Sequence, residues 1–229
     1  MCVGSAKFIL MKIRLETFSD IAPMTREMRG NRAMKSFARI SVWIGNVAIA
    51  MLIPTLTGCA VLRNPAKASV ATGAMEAFDS LPELLRTLPP DEDMLQRHLP
   101  PERTVAEERN VAVNVWVYAA TRSFDGDYHM VLGSAPELPA KFMTAEVGQV
   151  PWGSVDSRKA MQAREQFRDI FGYPAWWGIY SRFTPPVLVR ITGSLFFDID
   201  HPAGHVGPSE FASDTAWEIH PVTSISVLK

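Results

Sequence analysis

SRKAMQAREQFRDIF, residues 157–171, is the stretch whose reading decides the fold. Ala160, Ala163, Phe167, Ile170 and Phe171 recur at spacings of three and four, so they line one side of a helix. Asp156 or Ser157 can cap its start, and Gly172 suits its end. On either side of this helix the period is two. Upstream, Val111, Val113, Val115 and Val117 alternate with Ala112, Asn114, Trp116 and Tyr118, which predicts a strand with a β-branched face. The Asp-Gly pair in "FDGD", residues 124–127, signals a hairpin turn into a second strand over 128–132. Pro136 and Pro139 break the chain before a third strand over 142–147. Downstream, residues 187–199 read as a long fourth strand, with Gly193 where a strand must bend or bulge. Residues 216–228 read as a fifth, in which Pro221 implies a bulge or an edge.

Three strands, a helix and two more strands is the element order of an OB-fold, a small five-stranded Greek-key barrel. The expectation for residues 111–229 is therefore a mainly β, OB-like barrel with one helix between strands 3 and 4. The rival is another small barrel or an open sheet with one helix across an end. Neither implies an activity, because fold alone carries none.

Composition narrows the function classes. The chain has 229 residues and a formal net charge of −1, so no basic excess points to nucleic acid. Its two cysteines, Cys2 and Cys59, both precede the globular region, which excludes a disulfide framework and a cysteine-rich zinc site. Nucleophile elbow, phosphate loop and dinucleotide fingerprint are all missing from the sequence. No cofactor is implied beyond a metal ion at the strand histidines.

The chain start gives an address. Met34-Lys35-Ser36-Phe37-Ala38-Arg39 carries two positive charges, residues 40–53 are mostly apolar, and Leu56-Thr57-Gly58-Cys59 comes next. A charged start, a short apolar run and a small-residue exit describe a secretory signal peptide. Its ending resembles the lipobox of bacterial lipoproteins. That resemblance implies acylation of Cys59 by diacylglycerol and palmitate-type chains, with cleavage just before it. Two or more acyl chains hold a protein stably on a membrane. The expected location is the cell envelope, lipid-anchored and facing the periplasm or exterior, with Ala60 favouring an outer membrane where one exists. Membrane lipid and an envelope protein are the expected partners. Residues 1–33 read as an upstream extension ahead of Met34, 34–58 as the signal peptide, and 59–110 as the lipidated cysteine and a flexible tether. The tether reading rests on Pro65, Pro82, Pro89, Pro90, Pro100 and Pro101. Within it Met75, Phe78, Leu81 and Leu85 have helical spacing, and Thr104 with Glu107 has capping-box spacing.

Polar residues inside the strands are the candidate site. His129 lies in strand 2, Glu146 ends strand 3, Asp198 and His201 sit at the exit of strand 4, and Glu218 and His220 share one face of strand 5. A converging His/Glu set can hold a metal, given three or four ligands around one point. The alternative is a hydrogen-bonded network that pins strand register, with His129 and His220 each held by a carboxylate. Trp176, Trp177, Tyr180 and Phe183 form a second candidate, an aromatic platform that stacks on sugars or bases, unless they plug the barrel end. Asp125-Gly126-Asp127 lacks the downstream ligands of a calcium loop and reads as a turn.

The blocks "DGDYHMVL", "MTAEV", "VRITGSLFFDIDH" and "WEIHPVT" together resemble a set of small exported bacterial domains. That resemblance implies that the acidic and histidine positions belong together, and it brings no activity. Three functions stand as expectations: an anchored envelope lipoprotein with a binding or structural role, a metal-dependent envelope hydrolase, and a sugar- or oligonucleotide-binding barrel.

Overall fold

A computed structural model describes residues 63–149, 157–176 and 178–229; the expected signal peptide, Cys59 and Trp177 lie outside the described residues. Alternation of apolar and polar residues makes the chain mainly β, with β1 (Met75–Phe78), β2 (Asn110–Arg122), β3 (Tyr128–Gly133), β4 (Phe142–Val147), β5 (Ser181–Phe197) and β6 (Trp217–Val227). Among the described residues four α-helices accompany them: α1 (Asn64–Ala68), α2 (Leu81–Leu85), α3 (Asp91–Leu95) and α4 (Ser157–Phe171). Among the described residues no helix is long and apolar enough to cross a membrane.

The six strands form one sheet whose pairings return on themselves. β2 pairs antiparallel with β3, β3 antiparallel with β4, β4 parallel with β6, β6 antiparallel with β5, and β5 antiparallel with β2. β1 adds in parallel along the first residues of β2, with Met75 opposite Asn110. The enclosed faces carry Val111, Val113, Val115 and Val117 of β2, Met130 and Leu132 of β3, Met143 and Ala145 of β4, Leu195 and Phe197 of β5, and Trp217 and Ile219 of β6, all buried. Each large apolar side chain buried this way is worth about 1.5–3 kcal/mol. Phe167 of α4 joins the same core, its ring 4.8 Å from Tyr128 and 5.0 Å from Phe171. Gln166 of α4 also accepts the backbone N–H of Ile225 at 2.8 Å, which fixes the helix on β6.

Pro221 sits at an irregularity, as its ring requires. The β5–β6 register slips between Gly193 opposite Val222 and Leu195 opposite Ile219, leaving His220 and Pro221 against Ser194 alone. A Cβ on Gly193 would meet Ile219 Cγ2 at 2.5 Å and Pro221 O at 2.6 Å, so only glycine fits this close approach.

Three expectations are corrected. Residues 75–78 form a strand rather than a helix turn, because the Val-rich edge of β2 pairs their backbone and Pro82 starts a separate short helix. Strand formation after the helix begins at Ser181, so part of the aromatic loop belongs to β5. Above all, residues 63–109 are not an extended spacer. Ala66, Phe78, Leu81, Leu84 and Met94 are buried, and Trp217 donates its indole N–H to Pro89 O at 2.9 Å.

One buried ion pair fastens this segment. Glu107 takes Arg63 Nη2 on both oxygens, at 2.9 and 2.7 Å, and the backbone N–H of Phe197 at 3.0 Å. Its carboxylate also accepts the Thr104 backbone N–H and hydroxyl at 2.8 Å each, so the capping-box contact forms around a turn rather than a helix. Removing one member of a buried pair strands the other charge, at a cost of about 3–5 kcal/mol. Glu107→Ala is expected to lower unfolding free energy by about that amount in urea titrations; a midpoint equal to the unmodified chain's would mean that the segment is not docked.

Candidate functional site

Odd and even positions of the strands part company here. While Met130, Ala145, Leu195 and Ile219 enter the core, their neighbours His129, Glu146, Phe196, Glu218 and His220 point to the opposite face. Register then brings them together. His129 lies directly opposite Glu146, and Thr144 pairs with Glu218, which sets Glu146 and His220 side by side on the parallel β4–β6 pair. The β2–β3 turn adds Asp125 and Asp127, with Gly126 at a φ of 90° that the tight turn demands. The turn after β5 adds Asp198 and His201. α1 closes over the group and inserts Lys67.

Glu146 is the centre. Oε1 is 3.0 Å from His129 Nδ1, and Oε2 is 2.9 Å from both His220 Nδ1 and Lys67 Nζ. His220 Nδ1 is also 3.4 Å from Glu218 Oε1, and its Nε2 is 3.9 Å from Asp127 Oδ2. At the rim, His201 Nδ1 pairs with Asp198 Oδ2 at 2.6 Å, and Lys67 Nζ approaches the same oxygen at 3.9 Å. Distance is satisfied better than direction. Glu146 Oε2, Glu218 Oε1, His220 Nδ1 and His129 Nε2 are buried and make no well-directed hydrogen bond.

Burial and charge pull the protons in opposite senses. Burial would raise the Glu146 carboxyl, but His129, Lys67 and His220 outweigh it and hold it well below the ordinary range. Glu218 is pushed up to about 7 by burial and by its neighbour Glu146. Burial opposes charge on His220, yet Glu146 and Glu218 carry it up to about 9. Lys67 behaves likewise: burial is outweighed by Glu146, Glu218 and Asp198, so its ammonium stays charged. Burial also raises Asp127. Charges of both signs are thus packed against each other with limited solvent, where their interactions are strong.

Cavities of about 290, 400 and 190 Å³ surround the cluster, and Lys67 and Asp125 line all three. The first exposes Asp127 and His220, the second His129, His201 and His205, and the third Asp198 and His201. Glu146 lies beneath Lys67 and lines none of these three.

All six polar candidates from the sequence therefore meet in one place. The aromatic set does not. Trp176 is 60% exposed, with the Arg122 guanidinium 4.2 Å from its ring centre. Tyr180 is half-buried against the Tyr118, Val131 and Phe142 cluster, and Phe183 packs on Phe171 at 4.9 Å. Lys67 was missed, and Asp127 was read as part of a turn rather than placed in the candidate set. Asp127 had a signal, since it lies two residues before His129 and so shares its face. Lys67 had none, because nothing local says that α1 docks here.

Comparison with protein-family models, curated proteins and solved structures gives no match for the chain.

The rim pair sets a pH dependence. The hydrogen bond that His201 donates to the Asp198 carboxylate raises His201 to about 9 from 6.5. With the folded value raised, the pair contributes its full stability below the unfolded value and loses it as pH rises through about 9. An NMR titration of His201 should show a midpoint near 9 that falls toward 6.5 in Asp198→Asn; a midpoint of 6.5 in the unmodified chain would contradict the pairing.

Proposed function

We propose that this chain is a lipid-anchored protein of the cell envelope that displays an OB-like β-barrel and binds a small polar ligand at the mouth roofed by Lys67. Support for the barrel comes from pairing order. Counted from β2 to β6, the strands pair first to second to third to fifth to fourth and back to first, with the helix between third and fourth. β1 is then an addition to the five.

One observation carries binding over a purely structural role. Networks that only pin register are hydrogen-bonded throughout, whereas this one leaves four buried polar atoms without a directed hydrogen bond and is bordered by cavities. The ligand is small, because the cavities are, and polar, because charged and hydrogen-bonding side chains border it. Membrane lipid, through acylated Cys59, is the first partner. A hydrolase using His129, Glu146, His201, Glu218 and His220 is the second reading, favoured by the convergence of all five. The sugar- or base-stacking reading has less support, since Tyr180 and Phe183 turn inward.

The anchor is tested by growing cells with an alkyne-tagged fatty acid. The unmodified chain should carry the tag and pellet with membranes. Cys59→Ser should lose the tag and move to the soluble envelope fraction. A tag-free chain whose Cys59 thiol is intact by mass spectrometry would overturn the anchored reading.

A further inference from the structure

An ammonium group sits on one of three donors that together would suit a divalent cation. One oxygen each of Asp127 and Glu146 and one ring nitrogen of His220 lie within 4.8 Å of one another, and all three residues are buried. Two carboxylates and an imidazole are ligands that zinc and manganese accept. Lys67 Nζ sits 2.9 Å from Glu146 Oε2, on the roof of the cavity that Asp127 and His220 line. Glu218 adds a second buried carboxylate beside the three donors. It is 2% exposed, its Oε1 has no hydrogen bond, and that oxygen faces His220 Nδ1 at 3.4 Å. The same His220 Nδ1 lies 2.9 Å from Glu146 Oε2, and one N–H cannot serve two buried carboxylates well, so a further cation would offset the charge left over.

We propose that Asp127, Glu146 and His220 form a divalent-cation site, and that Lys67, paired with Glu146, substitutes for the cation's charge on that carboxylate when the cation is absent. The exchange needs no unfolding. α1 stays fixed through Arg63 on Glu107 and through the Ala66 N–H on Pro101 O at 3.0 Å. The Lys67 side chain is 22% exposed, and its flexible stem lets the ammonium swing into water. His220 releases its proton to solvent, the three donors draw in to bond lengths of about 2.0–2.2 Å, and water from the cavity completes the coordination. This deepens the binding reading and rests on it for the open mouth. It does not depend on acylation of Cys59.

The test is calorimetric titration of the chelator-treated full chain, in detergent, with Zn²⁺ and separately Mn²⁺. One equivalent of at least one ion should bind. Lys67→Met should bind it about tenfold or more tightly, because no ammonium has to be displaced. Asp127→Asn and His220→Asn should each lose binding with Lys67 still in place. If Lys67→Met fails to fold alone, recovery of its native circular dichroism on adding the ion supports the site, and failure to recover overturns it. The proposal is also overturned if neither ion binds the unmodified chain or Lys67→Met, if Lys67→Met binds more weakly, or if binding survives Asp127→Asn and His220→Asn. Loss of the fatty-acid tag with metal binding intact would strike only the anchor, and the reverse result only the metal site.

Discussion

Glu146 is a charged carboxylate with 1% of its surface exposed, and much of the architecture can be understood as the means of keeping it there. Burying an isolated carboxylate costs several kcal/mol even after relaxation. The cost is met by three cationic or titratable partners that arrive from three separate parts of the chain: His129 from β3, His220 from β6 and Lys67 from α1. The first two come with sheet register. The third comes only if the N-terminal segment packs across the sheet. The ion cluster and the docking of residues 63–109 are therefore one cooperative event, reinforced by Arg63 on Glu107 and by Arg103, which donates to Ser69 O and to His220 O.

The ion cluster sits on the outer face of the sheet, beside a small apolar cluster of Tyr118, Ala119, Val131 and Phe142. One face is continuous apolar core, completed by Phe167 from α4. On the other, Phe196 is the main apolar element of the cluster, its ring 6.3 Å from that of His220 and 4.9 Å from the Arg63 guanidinium. Exposed sheet faces usually meet water. This one meets a single short helix, a hairpin turn and a loop, which leave cavities between them. α1 itself is tied down by Arg63 on Glu107 and by Ala66 on Pro101, so it is the cavities between the covers, rather than their opening, that give a small guest room.

How much of the molecule was legible beforehand depends on the range of each signal. The alternation 111–117, the Asp-Gly turn, the helical run 157–171 and Pro221 in the last strand are local patterns, and each corresponds to an element or irregularity in the structure. Convergence of His129, Glu146, Glu218 and His220 was legible too, because parity along a strand assigns a face without tertiary knowledge. Prolines misled. Pro65 and Pro82 lie in the first turns of α1 and α2, where a missing N–H costs nothing, rather than marking an extended spacer. Lys67 and β1 were invisible for the same reason: each gains its place from residues more than thirty positions away, Glu146 in one case and the edge of β2 in the other.

The early docking of the chain has a geometric consequence. Folded structure is already under way at Arg63, four positions after Cys59. Even fully stretched, four residues reach only about 14 Å. A lipid fixed at that cysteine would leave almost no leash. The domain would ride against the headgroup layer with Asn64 and Lys67, both lining the cavities, on its near side. A small polar guest would then have to pass between the headgroups and the domain to reach those cavities.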